Sequence, residues 1–162
     1  MTVPRYVELV VRGGWPLNLT RSIAAAARAN IDYVTTITEV DLPTVDPARR
    51  HPRLALRVLQ ALARNIGMEY VVTRIAQDAA IDDSDIARST IYDYLAPLRR
   101  LMVLDPLDSW SSHLRSRARL RTSSRVQCCD PSIAVAALRT GSDQLLSLIH
   151  ISEAHETEAD LV

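Results

Sequence analysis

Apolar residues recur at three- and four-residue steps along most of this chain, the spacing of a helix with one buried face. The cleanest run is Leu54, Val58, Leu59, Leu62 and Ile66, closed by Gly67. It predicts an amphipathic helix with a glycine stop. Pro4 to Arg12 predicts a shorter helix, closed by Gly13-Gly14 and Trp15-Pro16. Arg21 to about Thr38 predicts another, with Asn18 or Thr20 as its cap. Three prolines between Asp41 and Pro52 predict an extended connection.

Val71 to Ala80 reads as a short helix, followed by the acidic turn Asp82-Asp83-Ser84-Asp85. Ser84 to Leu101 is then the longest predicted helix, with Ala87, Ile91, Tyr94, Leu95, Leu98 and Leu101 on one face and Pro97 in its last turns. Val103-Leu104 and Val126 to Cys129 are short, apolar and flanked by polar residues, the pattern of two paired strands. Asp130-Pro131-Ser132 combines a capping residue with proline at the first helical position, so a last helix runs to Arg139 and ends near Gly141.

The predicted fold class is therefore mainly α: a helical domain containing a winged helix-turn-helix with a small β-ribbon. Its segments would be Leu54–Ile66, Val71–Ala80 and Ser84–Leu101, with strands near 102–107 and 125–129. The domain reading is an N-terminal helical segment over 1–50, a winged-helix-like domain with the following helix over 51–140, and a tail over 146–162.

Composition changes this picture little. The chain has 162 residues, 48% of them apolar, enough for one core. Its apolar stretches are broken by Arg or Asp well short of the ~20 residues a membrane helix needs, so no membrane partner is expected. No secretory signal is visible at Met1-Thr2-Val3-Pro4-Arg5. The only cysteines, Cys128 and Cys129, are adjacent, which disfavours a disulfide scaffold and points to the cytoplasm.

Charge changes it more. The formal net charge is zero, and all nineteen cationic residues are arginine. Between Arg99 and Arg125, however, seven arginines face only Asp105 and Asp108. Binding of nucleic acid by overall charge is excluded, and binding by this one segment is not.

Candidate chemistry narrows the function further. There is no lysine to complete a phosphate-binding loop, and four glycines in total leave no material for a glycine-rich cradle. No metal-spaced Cys/His set or nucleophile elbow occurs, and His51, His113, His150 and His155 are scattered. The chain is expected to be no enzyme, with no metal and no cofactor of its own. Cys128 and Cys129 read as small strand residues beside the capping Asp130, and Trp15 as a packing residue. The candidate DNA contacts are Arg88, Ser89, Thr90 and Tyr92 for a major groove. Arg115, Arg117, Arg119, Arg121 and Arg125 would form a basic wing against phosphates. Against this stand Asp82, Asp83 and Asp85, carboxylates at the helix start that suit its dipole but repel phosphates.

Several segments together resemble a bacterial family, the domain of unknown function 4143, found behind P-loop ATPases of the AAA type. The resemblance rests on Tyr6-Val7-Glu8-Leu9 to Gly13-Gly14-Trp15-Pro16, on Val40-Asp41-Leu42, and on Arg50-His51-Pro52 with the Leu54–Gly67 helix. It continues through Ser89-Thr90-Ile91-Tyr92-Asp93-Tyr94-Leu95, His113 to Arg121, and Asp130-Pro131-Ser132-Ile133-Ala134. It implies an ATPase domain upstream, with ATP and Mg bound there and not in this chain, and a module similar to restriction nucleases downstream. Ser124-Arg125 stand where that family commonly has Pro-Lys, so the family's lysine has no counterpart here.

On that resemblance the chain reads as incomplete, with Met1 an internal start. Leu146-Ser147-Leu148-Ile149-His150-Ile151-Ser152-Glu153 looks like a translated transposase adapter from library preparation, so residues from about 146 onward read as non-native. The expected function is a non-catalytic regulatory or interaction segment of an AAA-type ATP-binding protein. Its partners would be the parent's own ATPase domain and, through the basic wing, DNA. The alternative is a free-standing winged-helix regulator that binds DNA.

Overall fold

The computed structural model describes residues 2–48, 51–80, 86–107 and 124–147, and these are mainly helical. The helices are α1 (Val3–Arg12), α2 (Ile23–Thr36), α3 (Leu42–Val45), α4 (Pro52–Arg64), α5 (Val72–Ala79), α6 (Arg88–Arg100) and α7 (Pro131–Ala137). A 3-10 turn (Pro16–Asn18) follows α1, and a π-helical turn (Ile37–Asp41) joins α2 to α3.

The centre of the packing is α7, whose residues Ser132 to Ala137 are all buried. Three alanines in seven residues let α1, α2 and α4 approach it closely. Ile133, 1% exposed, belongs to the same buried cluster as the fully buried Leu59 and Leu62 of α4. Each such side chain contributes about 1.5–3 kcal/mol of burial. One cluster of buried residues runs from Val34, Ile37 and Leu42 through α4, α5 and α6 to α7. A smaller one joins Val7 and Val11 of α1 to Val135, with Leu145 and Leu146 of the helical residues 142–147 against it.

Local chemistry explains where the helices start and stop. Gly13 ends α1 at φ +73°, and its N–H donates to Leu9 O. The carbonyls of Val11 and Arg12, left over at that end, are taken by the buried Asn30 amide at 3.0 and 3.2 Å. Asn18 therefore does not cap α2. Its side chain is buried, donating to Arg12 O and to Asn30 Oδ1. The cap is Ser22, whose Oγ accepts the Ala25 N–H. Asp130 caps α7 as the sequence predicts, accepting the Ser132 N–H at 2.8 Å.

Two predicted elements are corrected. The stretch from Asp41 is not extended at its start, because the chain stays helical to Val45. Pro43 is the second residue of α3, directly after the π-helical turn. Upstream, Thr38 Oγ1 bonds back to the carbonyls of Val34 and Thr35, where the helix widens to π geometry. The long helix, expected from Ser84, starts at Arg88 after an extended Ala87 at ψ +140°. Pro97 lies in its last turn and is buried.

The ribbon expected at 102–107 and 125–129 is also corrected: among the described residues it forms isolated antiparallel bridges rather than strands. Leu107 and Arg125 exchange both N–H···O bonds, at 3.1 and 2.8 Å. Asp105 N–H reaches Gln127 O, and Cys129 N–H reaches Val103 O. On its other side the same segment meets residues 67–70, which the periodicity had not marked as extended. Gly67 N–H donates to Val126 O, Val126 N–H to Met68 O, and Tyr70 N–H to Ser124 O. Gly67 and Met68 thus face the single residue Val126, a β-bulge opened by a glycine at φ +76°. The bulge interrupts one ladder. On the other, Pro106 sits one residue from a doubly bonded pair, with its missing N–H on the outer edge. The result is a short three-segment pairing in the order 67–70, 124–128, 104–107.

Residues 148–162, most of the tail read as non-native, lie outside the described residues. Among those described, no helix is long and apolar enough to cross a membrane.

Candidate nucleic-acid interface

α4, α5 and α6 touch one another, so the two predicted helices before the long one do pack against it. Their joints are polar as well as apolar. Asn65 at the end of α4 donates to Asp78 Oδ2 at 2.8 Å and to Ala61 O. Arg57 reaches across to Ala80 O, which closes the far end of α5. Ile91, Tyr94, Leu95 and Leu98 fix α6 in the core.

With that face buried, helical spacing turns Arg88, Ser89, Tyr92, Asp93, Ala96, Arg99 and Arg100 outward, and all seven are exposed. Of the four groove residues predicted on this helix, the structure brings Arg88, Ser89 and Tyr92 onto one exposed surface. Thr90 is half-buried at its flank. Tyr92 is 57% exposed and, among the described residues, stacks on no other ring. Arg88 also borders an open groove between α5 and α6 of about 450 Å³, lined by Thr73, Gln77 and Ile86. Thr73 and Gln77 were not singled out from the sequence, because they fall on the polar side of a helix read only for its apolar face. Arg99 and Arg100 carry the basic end of α6; their signal was already in the charge run.

The predicted wing divides. Arg115, Arg117, Arg119 and Arg121 lie outside the described residues. Arg125 is described and exposed, and it is engaged: its Nη1 donates to Gly67 O at 2.9 Å. That bond fastens the bulge, so Arg125 has a structural task whatever else it does. Asp82, Asp83 and Asp85 fall outside the described residues too.

Other candidate chemistry is quieter. Cys128 is buried, and burial first, then the neighbouring Cys129 and Asp130, pushes its thiol up to about 12. Cys129 is exposed, its thiol raised by partial burial and by Asp105. Neither has the lowered pKa of a nucleophilic cysteine. Tyr70 Oη is buried without a partner, and desolvation raises it to about 12 even with Arg99 nearby. Among the described residues no three metal-ligating side chains gather. Trp15 packs edge-on against Tyr33, centroids 5.1 Å apart, and its Nε1 donates to Ser132 Oγ.

A family model matches residues 3–144, from the first residue of α1 to the helical residues after α7. The chain belongs to the DUF8612 family, a domain of unknown function. This overturns the resemblance to the domain of unknown function 4143, which is a different family. The upstream ATPase and the nuclease-like module that the resemblance implied lose their support with it. No curated protein and no solved structure matches the chain.

Proposed function

We propose that this DUF8612 chain is a non-catalytic, winged-helix-type domain that contacts duplex DNA in the cytoplasm. α6 would be its groove-facing helix and residues 108–123 its phosphate-facing wing. The observation that carries the reading is the Leu107–Arg125 pair. Its two mutual hydrogen bonds pair the residues on either side of a stretch whose sequence holds Arg115, Arg117, Arg119 and Arg121 and which follows α6 in the chain. The element order supports it: α4, residues 67–70, α5, α6, then two paired segments flanking the wing, which is the order of winged helix-turn-helix domains. Exposed Arg88, Ser89 and Tyr92 supply a donor set for base edges and phosphates. Neutral overall charge means affinity must come from this local arrangement, and binding should fade quickly with salt.

A mobility shift of the chain with duplex DNA at low salt tests the reading. Retardation that is lost in a variant combining Arg88→Ala and Tyr92→Ala, with the helical circular dichroism unchanged, is the expected result. A second reading is favoured by the three carboxylates Asp82, Asp83 and Asp85 just before α6. In that reading the same surface meets a basic protein partner. No retardation at any salt concentration would leave it as the better account.

A further inference from the structure

The π-helical turn after α2, the first turn of α4 and the end of α7 enclose a cleft of about 170 Å³. Its inner walls are apolar: Ile31, Val34, Leu56 and Ala136. Arg53, Arg139 and Glu39 also line it, and all three are exposed. Among the described residues neither arginine has an ion-pair partner, although the Glu39 carboxylate borders the same space. The threonines do not compete as donors. Thr35 and Thr38 spend their hydroxyl protons on the carbonyls of Ile31, Val34 and Thr35. The uncommitted side-chain donors in the cleft are thus the two guanidiniums.

The backbone at Arg139 supplies an independent observation. α7 closes with Thr140 N–H on Val135 O and Arg139 N–H on Ala136 O, the geometry in which the next residue is usually glycine. Here that residue is Arg139, at φ +52°. A side chain is strained in this left-handed region. Glycine would close the helix with less strain, and what arginine adds is a cation at the cleft.

We propose that this cleft binds a small aliphatic monocarboxylate, its branched apolar end against Ile31, Leu56 and Ala136 and its carboxylate held by Arg53 and Arg139. Two cations and one carboxylate leave the site with a single positive charge, which matches a monoanion better than a phosphate dianion. Planar guanidinium forks suit a carboxylate in particular. The inference is independent of DNA contact, because no outward-facing residue of α6 lines the cleft.

Titration of the whole chain with sodium 3-methylbutanoate at constant ionic strength tests it, read by backbone amide shifts of Thr35 and Ala136 and by Tm. Saturable amide shifts are expected, with a Tm rise of about 2–5 °C at tenfold excess over Kd. Arg139→Gly is the informative variant, since it should raise the unliganded Tm while weakening binding at least about tenfold through loss of the charged contact. Arg53→Gln should weaken binding comparably with the fold unchanged. Neutral 3-methylbutan-1-ol should give no saturable shift. Unchanged affinity in Arg139→Gly and Arg53→Gln, equal or tighter binding of isobutyl phosphate, or no saturable shift at about 50 mM carboxylate, weaker than any useful site, would each overturn the proposal.

Discussion

The Gly14 N–H donates to the Asp130 carboxylate at 2.7 Å, across 116 residues of chain. The same carboxylate accepts the Ser132 N–H and hydroxyl through its other oxygen, at 2.8 and 2.6 Å. Ser132 Oγ in turn accepts the Trp15 indole N–H. One acidic residue thus caps α7, holds the turn after α1 and orients the residue that anchors Trp15. Asp130→Ala should cost about 2–4 kcal/mol, a lost cap plus hydrogen bonds to a charged group. Urea unfolding followed by circular dichroism measures it. A loss below about 1 kcal/mol would mean that the cap alone mattered.

Gly13 and Gly67 both have positive φ, at +73° and +76°, but in different surroundings. A β-carbon on Gly13 would stand 2.6 Å from Asp130 Oδ1, whereas one on Gly67 would meet nothing within 4 Å. Gly67→Ala should cost only the backbone term, about 1 kcal/mol. Gly13→Ala adds a clash with a fixed carboxylate and should cost at least about 2 kcal/mol more, within the range of overpacking. Parallel denaturant curves of the two variants decide it, and equal losses would contradict the packing around Asp130.

Met102 closes α6 at φ +56° and is 69% exposed, while Val103 N–H returns to Leu98 O at 3.0 Å. Its side chain buries little, so Met102→Gly should relieve strain and raise stability by about 0.5–1 kcal/mol. A lowered Tm would show that this side chain carries packing energy instead.

Legibility in the sequence tracked the kind of signal each element carries. The Leu54–Ile66 periodicity and the Asp130-Pro131 start are strong local signals, and both elements formed close to where they were read. Gly67 reads from the sequence as the helix end, but α4 already stops at Arg64 with Asn65 as its cap, and the task of Gly67 is non-local. It opens the bulge against Val126, and no short-range pattern reports a partner some sixty residues away. Met68-Glu69-Tyr70 is too short and mixed to read as extended. Asn18 looks like a cap by residue type, but tertiary packing buried it against Asn30 and left capping to Ser22. At the candidate interface the exposed face of α6 was legible, because its apolar complement was. Thr73 and Gln77 depend on how α5 lies against α6, which only the packing sets.

Burial of Cys128 and Tyr70 has a consequence at alkaline pH. Both groups are raised to about 12 in the folded chain, so the fold favours their neutral forms. Their contribution is fully present below the unfolded pKa values, near 8.5 for thiol and 10 for phenol, and is lost as pH climbs through the folded ones. Tm should fall between about pH 9 and 12, and Cys128→Ala should flatten the first part of that fall. In the native state at pH 8, iodoacetamide should modify Cys129 and spare Cys128, with both reacting in denaturant. Prompt modification of both in the native chain would contradict the burial.

The central claim is DNA contact by α6 and the arginine-bearing residues 108–123 that lie between the paired Leu107 and Arg125 in the chain. Its most direct measurement is the slope of log K against log salt concentration for duplex binding, in the wild-type chain and in a variant with Ala at 115, 117, 119 and 121. Each phosphate contact contributes about 0.9 to the slope. The account predicts measurable binding at low salt and a slope reduced by about 2–4 in the variant. An unchanged slope, or no binding by the wild-type chain at low salt, would contradict it.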